Sequence, residues 1–252
     1  MSKIHPSSRL CSGNNLLLRE KEEEDMRPCV LTVWKRSSMS FQGTDGFTVF
    51  DKQGRLVFRV DNYSRSSRCA AAGGLLLMDG AGNALLSLKP QPLQILSMQY
   101  RWSGYREEDV CGKIKRSSSP PPPPSSSGMS KVFTMRSSSF LFHGAKDRAA
   151  EVFMMGSDSG PTRRRKQAQH SSTPPDFKIE GCFRSRNCII RTANGDLVAK
   201  IARKRAANST ILLTDDVFTL VVHPGYGTDL VMAFVVILDR ISSKPYTPVL
   251  CS

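Results

Sequence analysis

Nine consecutive apolar residues, Leu230 to Leu238 (LVMAFVVIL), lie near the end of this 252-residue chain, entered by Asp229 and closed by Asp239-Arg240. A helix that crosses the hydrocarbon core of a bilayer needs about 20 such residues, so the run is too short to span one. A strand with one wet face would alternate apolar and polar side chains, and this run does not alternate. What remains is an element buried on all sides, and other structure must surround it. The rest of the chain reads as strands. The expected architecture is therefore mainly β, a sheet wrapped around a central, buried C-terminal helix.

The strands come in hairpins of one design. Gly46 to Asp51, Leu75 to Asp79 and Cys188 to Arg191 are each followed by a short turn containing Gly54, Gly82 or Gly195. A second apolar arm follows each turn: Arg55 to Val60, Asn83 to Leu88 and Asp196 to Ile201. Glycine in such turns supplies positive φ without steric cost. Further strand candidates are Cys29 to Trp34, Leu93 to Trp102, Val132 to Met135, Ser139 to His143, Glu151 to Met155, Phe177 to Ile179, Thr210 to Leu213 and Val217 to Val222. Together they make about a dozen strands and an antiparallel meander.

Three segments fall outside this pattern. Residues 1–28 form a polar leader ending in Glu20-Lys21-Glu22-Glu23-Glu24-Asp25, too polar to offset its own ordering entropy and expected to be disordered. Ser117 to Ser130 carries five consecutive prolines, Pro120 to Pro124, which cannot pair in a sheet and favour an extended polyproline helix. Such a tract is either a solvated spacer or a ligand for a proline-recognising domain. Residues 156–175 set Arg163-Arg164-Arg165-Lys166 among Ser, Thr, Gln and Pro. Strand-like sequence resumes after each insertion, so both are read as disordered loops within a single domain spanning 29–243, with 244–252 a C-terminal tail.

The formal charge is +14, and residues 111–180 alone carry twelve bases against five acids. A basic balance points to anionic partners and says nothing of fold. Seven cysteines, with no CxxC and irregular spacing, fit reduced thiols better than a disulfide framework. The N-terminal residues lack the apolar core of a signal peptide, and the expected setting is intracellular: cytoplasmic, nuclear, or peripheral at the plasma membrane.

Leu31 to Tyr63 (LTVWKRSSMSFQGTDGFTVFDKQGRLVFRVDNY) strongly resembles the opening of the plant LURP-one-related proteins. So do Leu75 to Asp79, Arg101-Trp102 with Tyr105, Phe177 to Gly181, the Gly195 hairpin, and Val221 to Tyr226 running into Asp229 to Ile241. The resemblance implies a tubby C-terminal-like fold: a closed antiparallel barrel of about twelve strands around a hydrophobic C-terminal helix. Asp229 is then expected to cap the helix N-terminus. The resemblance also implies a regulatory protein of plant defence. Tubby-like relatives bind phosphoinositides through basic side chains on the barrel wall and are proposed to be membrane-tethered transcription factors.

The chain shows no HExxH, Walker loop or GxSxG, and no GxGxxG follows a strand. His5, His143, His170 and His223 have no ligand spacing, and Asp215-Asp216 reads as a turn. No catalytic, cofactor or metal site is expected. The candidates are bases. Lys200, Arg203, Lys204 and Arg205 straddle the exit of the Gly195 hairpin and could hold a phosphate-rich headgroup or a nucleic-acid backbone. Arg163 to Lys166 resembles a short nuclear-import signal or a nucleic-acid tail. The expected function is a non-enzymatic regulatory or adaptor protein on anionic membrane, the alternatives being nucleic-acid binding through the basic loop and protein interaction through the proline tract.

Overall fold

The computed structural model describes residues 26–36, 46–61, 74–91, 100–107, 128–137, 150–156, 174–206 and 211–243. The leader 1–25, Pro120 to Pro124, Arg163 to Lys166, the strand candidate Ser139 to His143 and the tail 244–252 lie outside the described residues.

The strands are β1 Cys29–Arg36, β2 Gly46–Phe50, β3 Leu56–Asp61, β4 Leu75–Asp79, β5 Ala84–Pro90 and β6 Arg101–Glu107. They continue as β7 Met129–Ser137, β8 Ala150–Met154, β9 Phe177–Cys182, β10 Asn187–Thr192, β11 Leu197–Arg203 and β12 Val217–Val222. Each pairs antiparallel with its sequence neighbours, and β12 pairs with β1, so the twelve strands close a barrel. Closure leaves no unpaired edge. The chain then turns at residues 223–227, and α1, Thr228–Ser243, runs back through the interior.

The period-two alternation of the strands decides what faces the helix. Leu31 and Val33, Phe47 and Val49, Leu86 and Leu88, Phe133 and Met135, Ile201, Phe218 and Leu220 all point inward and are buried. They meet a helix in which Val231 to Leu238 are buried without interruption. Phe234 stands at the middle, its ring 5.0 Å from Phe133 edge-on and 5.7 Å from Phe177. Phe133 in turn occupies the space opposite Gly104 of β6, where an added Cβ would fall 2.1 Å from its ring.

The hairpin turns follow the sequence reading. Gly54, Gly82 and Gly195 have φ of 79°, 96° and 94°. In each, a side chain at the end of the first arm closes the loop: Asp51 accepts from the Arg55 amide, Asp79 from the Asn83 amide and Thr192 from the Asp196 amide.

Three expectations are corrected. The strand expected to end at Trp102 runs on to Glu107, as Arg101–Glu107, and Leu93 to Gln99 of that expectation lie outside the described residues. Of Thr210 to Leu213, the described residues 211–213 form no strand, only a single bridge between Arg205 and Leu212. Asp229 is not the cap: the helix starts at Thr228, its first bond runs from the Val231 amide to the Gly227 carbonyl, and the Asp229 carboxylate pairs instead with Arg106 at 2.7 Å.

Seven large side chains of α1 lie fully inside, and burial at about 1.5–3 kcal/mol each amounts to roughly 10–20 kcal/mol gross. Net domain stability is about 5–15 kcal/mol, so the helix decides whether the barrel exists. Truncation before Asp229 is expected to yield an insoluble or molten product, and Phe234→Asp nearly the same because an unpaired charge enters a dry core. Phe234→Leu should remain folded at a cost of about 1 kcal/mol. Thermal unfolding followed by near-UV circular dichroism checks this series. A sharply unfolding barrel from the truncated chain would refute the assignment.

Candidate anion-binding surface

The four bases predicted at the β11 exit do not form one patch. Cross-strand register puts Lys200 opposite Val221 and Ile189 on the outer wall, exposed and free of any described carboxylate. Arg203 pairs with the interior residue Phe218, and its guanidinium is bound to Asp215 at the barrel mouth. Lys204 points outward again and donates to the Thr32 hydroxyl at 2.8 Å. Arg205 is exposed, beside Leu212. Alternation therefore divides the cluster between the mouth and the outer wall, and among the described residues only Lys200 and Arg205 of the four have no ion-pair or hydrogen-bond partner for the head group.

The mouth that receives the end of α1 is polar for a structural reason. Asp239 is buried near the helix C-terminus, and Lys35 donates to it at 2.9 Å. Arg186, also buried, stacks between the Phe183 and Phe218 rings, 4.4 Å from each, and donates to the Asp215 carbonyl at 2.7 Å. Burial pulls its guanidinium below the usual arginine range, and Asp239 and Asp215 oppose that. Asp215, half of the acidic pair noted in the sequence, is thus engaged by Arg203, and no cluster of potential metal ligands exists among the described residues. Cys188 faces inward and Cys182 outward from adjacent strands, and neither is in a disulfide.

Another group of bases lies on the outer wall of β5 to β7. Inward-facing Leu88, Trp102, Gly104, Phe133 and Met135 fix the parity of these strands. Their outward rows are then Lys89 opposite Ser103 opposite Thr134, Ser87 opposite Tyr105 opposite Lys131, and Arg101 opposite Arg136. Arg136 is neutralised by Glu151 of β8 at 2.8 Å and lies over the Phe153 ring. Lys89, Arg101 and Lys131 form no ion pair with any described carboxylate.

The Lys89 ammonium sits 5.2 Å from the centre of the Tyr105 ring, a cation–π contact. Ser103 is fully buried beneath the cluster, with its hydroxyl 3.5 Å from that of Thr134. Burial, and then the charge of Arg101, push Lys131 below the ordinary lysine range. Like charges facing one another across a sheet destabilise it. An anion seated beside Thr134 would meet three cations and the Thr134 hydroxyl, and would relieve that repulsion.

Sequence reasoning missed this set because the bases are far apart in the chain and none belongs to a run. The signal present was the alternation of β7, Lys131, Phe133 and Met135, combined with a register that the sequence does not state.

The architecture defines a closed twelve-stranded antiparallel barrel filled by its C-terminal helix, with a basic, hydroxyl-bearing outer wall. The LURP-one-related family model matches residues 29–239, and the chain belongs to that family. It is similar to protein LURP-one-related 5 of Arabidopsis thaliana, 32% identical over 84% of this chain and 82% of that one. It is also similar to LURP-one-related 12 of the same plant, 31% identical over 84% and 77%. An Arabidopsis thaliana protein solved by X-ray crystallography covers 86% of this chain and 92% of its own, at 17% identity and a TM-score of 0.49. Among the described residues no helix is long and apolar enough to cross a membrane.

Lys131 is charged and partly buried beside Arg101, so folding draws its pKa below the unfolded value. The sign follows: the charged form costs stability at neutral pH, and the cost fades as pH rises through the lowered folded pKa. Lys131→Met should leave the melting temperature at pH 7 unchanged or raise it by up to about 3 °C. Scanning calorimetry at pH 7 and pH 10 checks this; the difference between variant and wild type should be smaller at pH 10.

Proposed function

We propose that this chain is a non-enzymatic regulatory or adaptor barrel that attaches reversibly to anionic, phosphoinositide-bearing membrane through its β5–β7 wall. The observation that carries the reading is the convergence of Lys89, Arg101 and Lys131 on one outer face with no described carboxylate between them. The resemblance to tubby-like proteins supports the same chemistry. This reading puts the protein peripherally on the cytoplasmic side of the membrane.

Bases close to an anionic bilayer contribute about 1 kcal/mol each. Replacing Lys89, Arg101 and Lys131 with Gln should therefore weaken binding by about 3 kcal/mol, roughly a hundredfold. Co-sedimentation with phosphatidylcholine vesicles containing or lacking phosphoinositide measures it, alongside a DNA gel shift at matched salt. Unchanged vesicle affinity in the triple variant would sink the wall assignment. A gel shift that depends on Arg163 to Lys166, without vesicle binding, would favour the nucleic-acid reading.

A further inference from the structure

Peripheral attachment to a bilayer combines attraction of bases to anionic head groups with burial of apolar side chains just beneath them. The β5–β7 wall offers the bases, and its edge at the start of β7 offers apolar side chains as well. Gly104 lies opposite Phe133 and Tyr105 opposite Lys131, so the register of β7 passes over Val132. Such a bulge re-aims the side chains beside it. It puts Lys131 and Met129 on the outer face although Phe133 and Met135 are buried inside. Met129 is 37% exposed, and its sulfur lies 3.8 Å from the Lys89 ammonium, which itself sits over the Tyr105 ring. On β8, Ala150 and Val152 are buried, so Glu151 and Phe153 face outward, where Arg136 meets both. The same parity turns Met155 outward, 44% exposed, and its amide donates to the Val132 carbonyl at 2.8 Å.

Single exposed apolar residues are ordinary on any surface. These two are set apart by their company. Strand spacing puts them about 11 Å apart, flanking Lys131, and neither Lys89 nor Lys131 forms an ion pair with a described carboxylate. An apolar protein face laid over the methionines would bury those cations without a counter-charge, which is costly. A bilayer offers hydrocarbon to the thioethers and phosphate at the depth that a lysine stem can reach. Methionine is also unbranched and adaptable, which suits a fluid and irregular surface. We infer that Met129 and Met155 enter the hydrocarbon edge of an anionic bilayer while Lys89, Arg101 and Lys131 hold its head groups. This insertion presupposes the membrane attachment proposed above and fixes how the barrel lies on it, with the starts of β5 and β7 and the ends of β6 and β8 toward the lipid. Trp34, exposed on β1 six strands away around the barrel, then faces away from the membrane.

Vesicles of phosphatidylcholine with phosphoinositide test it on the full chain. Met129→Ser and Met155→Ser should each weaken vesicle binding about fivefold, and the two together about twentyfold, from the apolar area withdrawn. The ratio should persist at higher salt, which screens the bases and not the methionines. Leu at both positions should bind like the unaltered chain. Binding of soluble inositol trisphosphate, a head group without hydrocarbon, should be the same in the serine variants as in the unaltered chain. Met155→Trp reads the depth directly: lipids brominated high on the acyl chains should quench its emission beyond that of the unaltered chain, in which Trp34 faces away and Trp102 is buried. Unchanged vesicle affinity in the double serine variant, or no added quenching in Met155→Trp, overturns the insertion. Membrane attachment by the wall then still stands if Gln at Lys89, Arg101 and Lys131 weakens binding. Equal losses for vesicles and for inositol trisphosphate overturn the insertion too, with Met129 serving only to position Lys89. Strong quenching in the unaltered chain, placing Trp34 at the lipid, does the same. If the unaltered chain ignores vesicles altogether, attachment and insertion fall together.

Discussion

Everything in this protein depends on the helix inside the barrel. A closed sheet removes the exposed edges that would pair with other chains, but a barrel of twelve strands is wider than its own side chains can fill. The interior must be supplied from elsewhere, and α1 supplies it. Val231, Val235, Val236 and Ile237 would favour a strand by local preference. That preference is under about 1 kcal/mol per residue, while burying each side chain contributes about 1.5–3 kcal/mol. Burial wins. The packing is specific as well as apolar: Gly104 leaves the space that Phe133 fills, and Phe133 meets Phe234 edge-on.

A helix threaded through a barrel has two ends to settle. At its start, Asp229 lies in the first turn, where a negative charge is favoured by the helix dipole, and Arg106 of β6 holds it. At its finish the arrangement is harder to satisfy. Asp239 is buried near the C-terminus, where the dipole is unfavourable to a carboxylate, so it requires the ammonium of Lys35 and the nearby charge of Arg186. Arg184 adds a bond to the Ser242 carbonyl at 2.9 Å, meeting one of the orphan acceptors of the last turn. The mouth is therefore charged in part because the helix must end there.

The parts of the fold legible in the sequence were those set by local physics. Glycine at positions 54, 82 and 195 announced turns that need positive φ, and the run from Leu230 announced an element wet on no side. Asp229 was misread because a residue one place inside the helix looks like a cap until the first backbone bond is known. β6 was hard to delimit because it buries Trp102, Ser103 and Gly104 in succession, so the alternation that marks a strand is missing from it. The basic run at 203–205 looked like one surface, but neighbours in a strand point opposite ways. Lys89, Arg101 and Lys131 looked like nothing, because only register brings them together.

That contrast follows from how a barrel is built. Its interior is specified by alternation and tolerates little, while its exterior needs only to stay wet. Three cations around the Thr134 hydroxyl are an arrangement that stability alone would not select: Arg101 stands opposite Arg136, and Lys131 keeps its charge partly out of water. Glu151 shows that the same wall can neutralise a base when a carboxylate is placed beside it, as it does for Arg136. The helix gives the domain enough buried surface to carry a locally unfavourable wall. A charge of opposite sign arriving from outside would then gain both its own attraction and the repulsion it relieves.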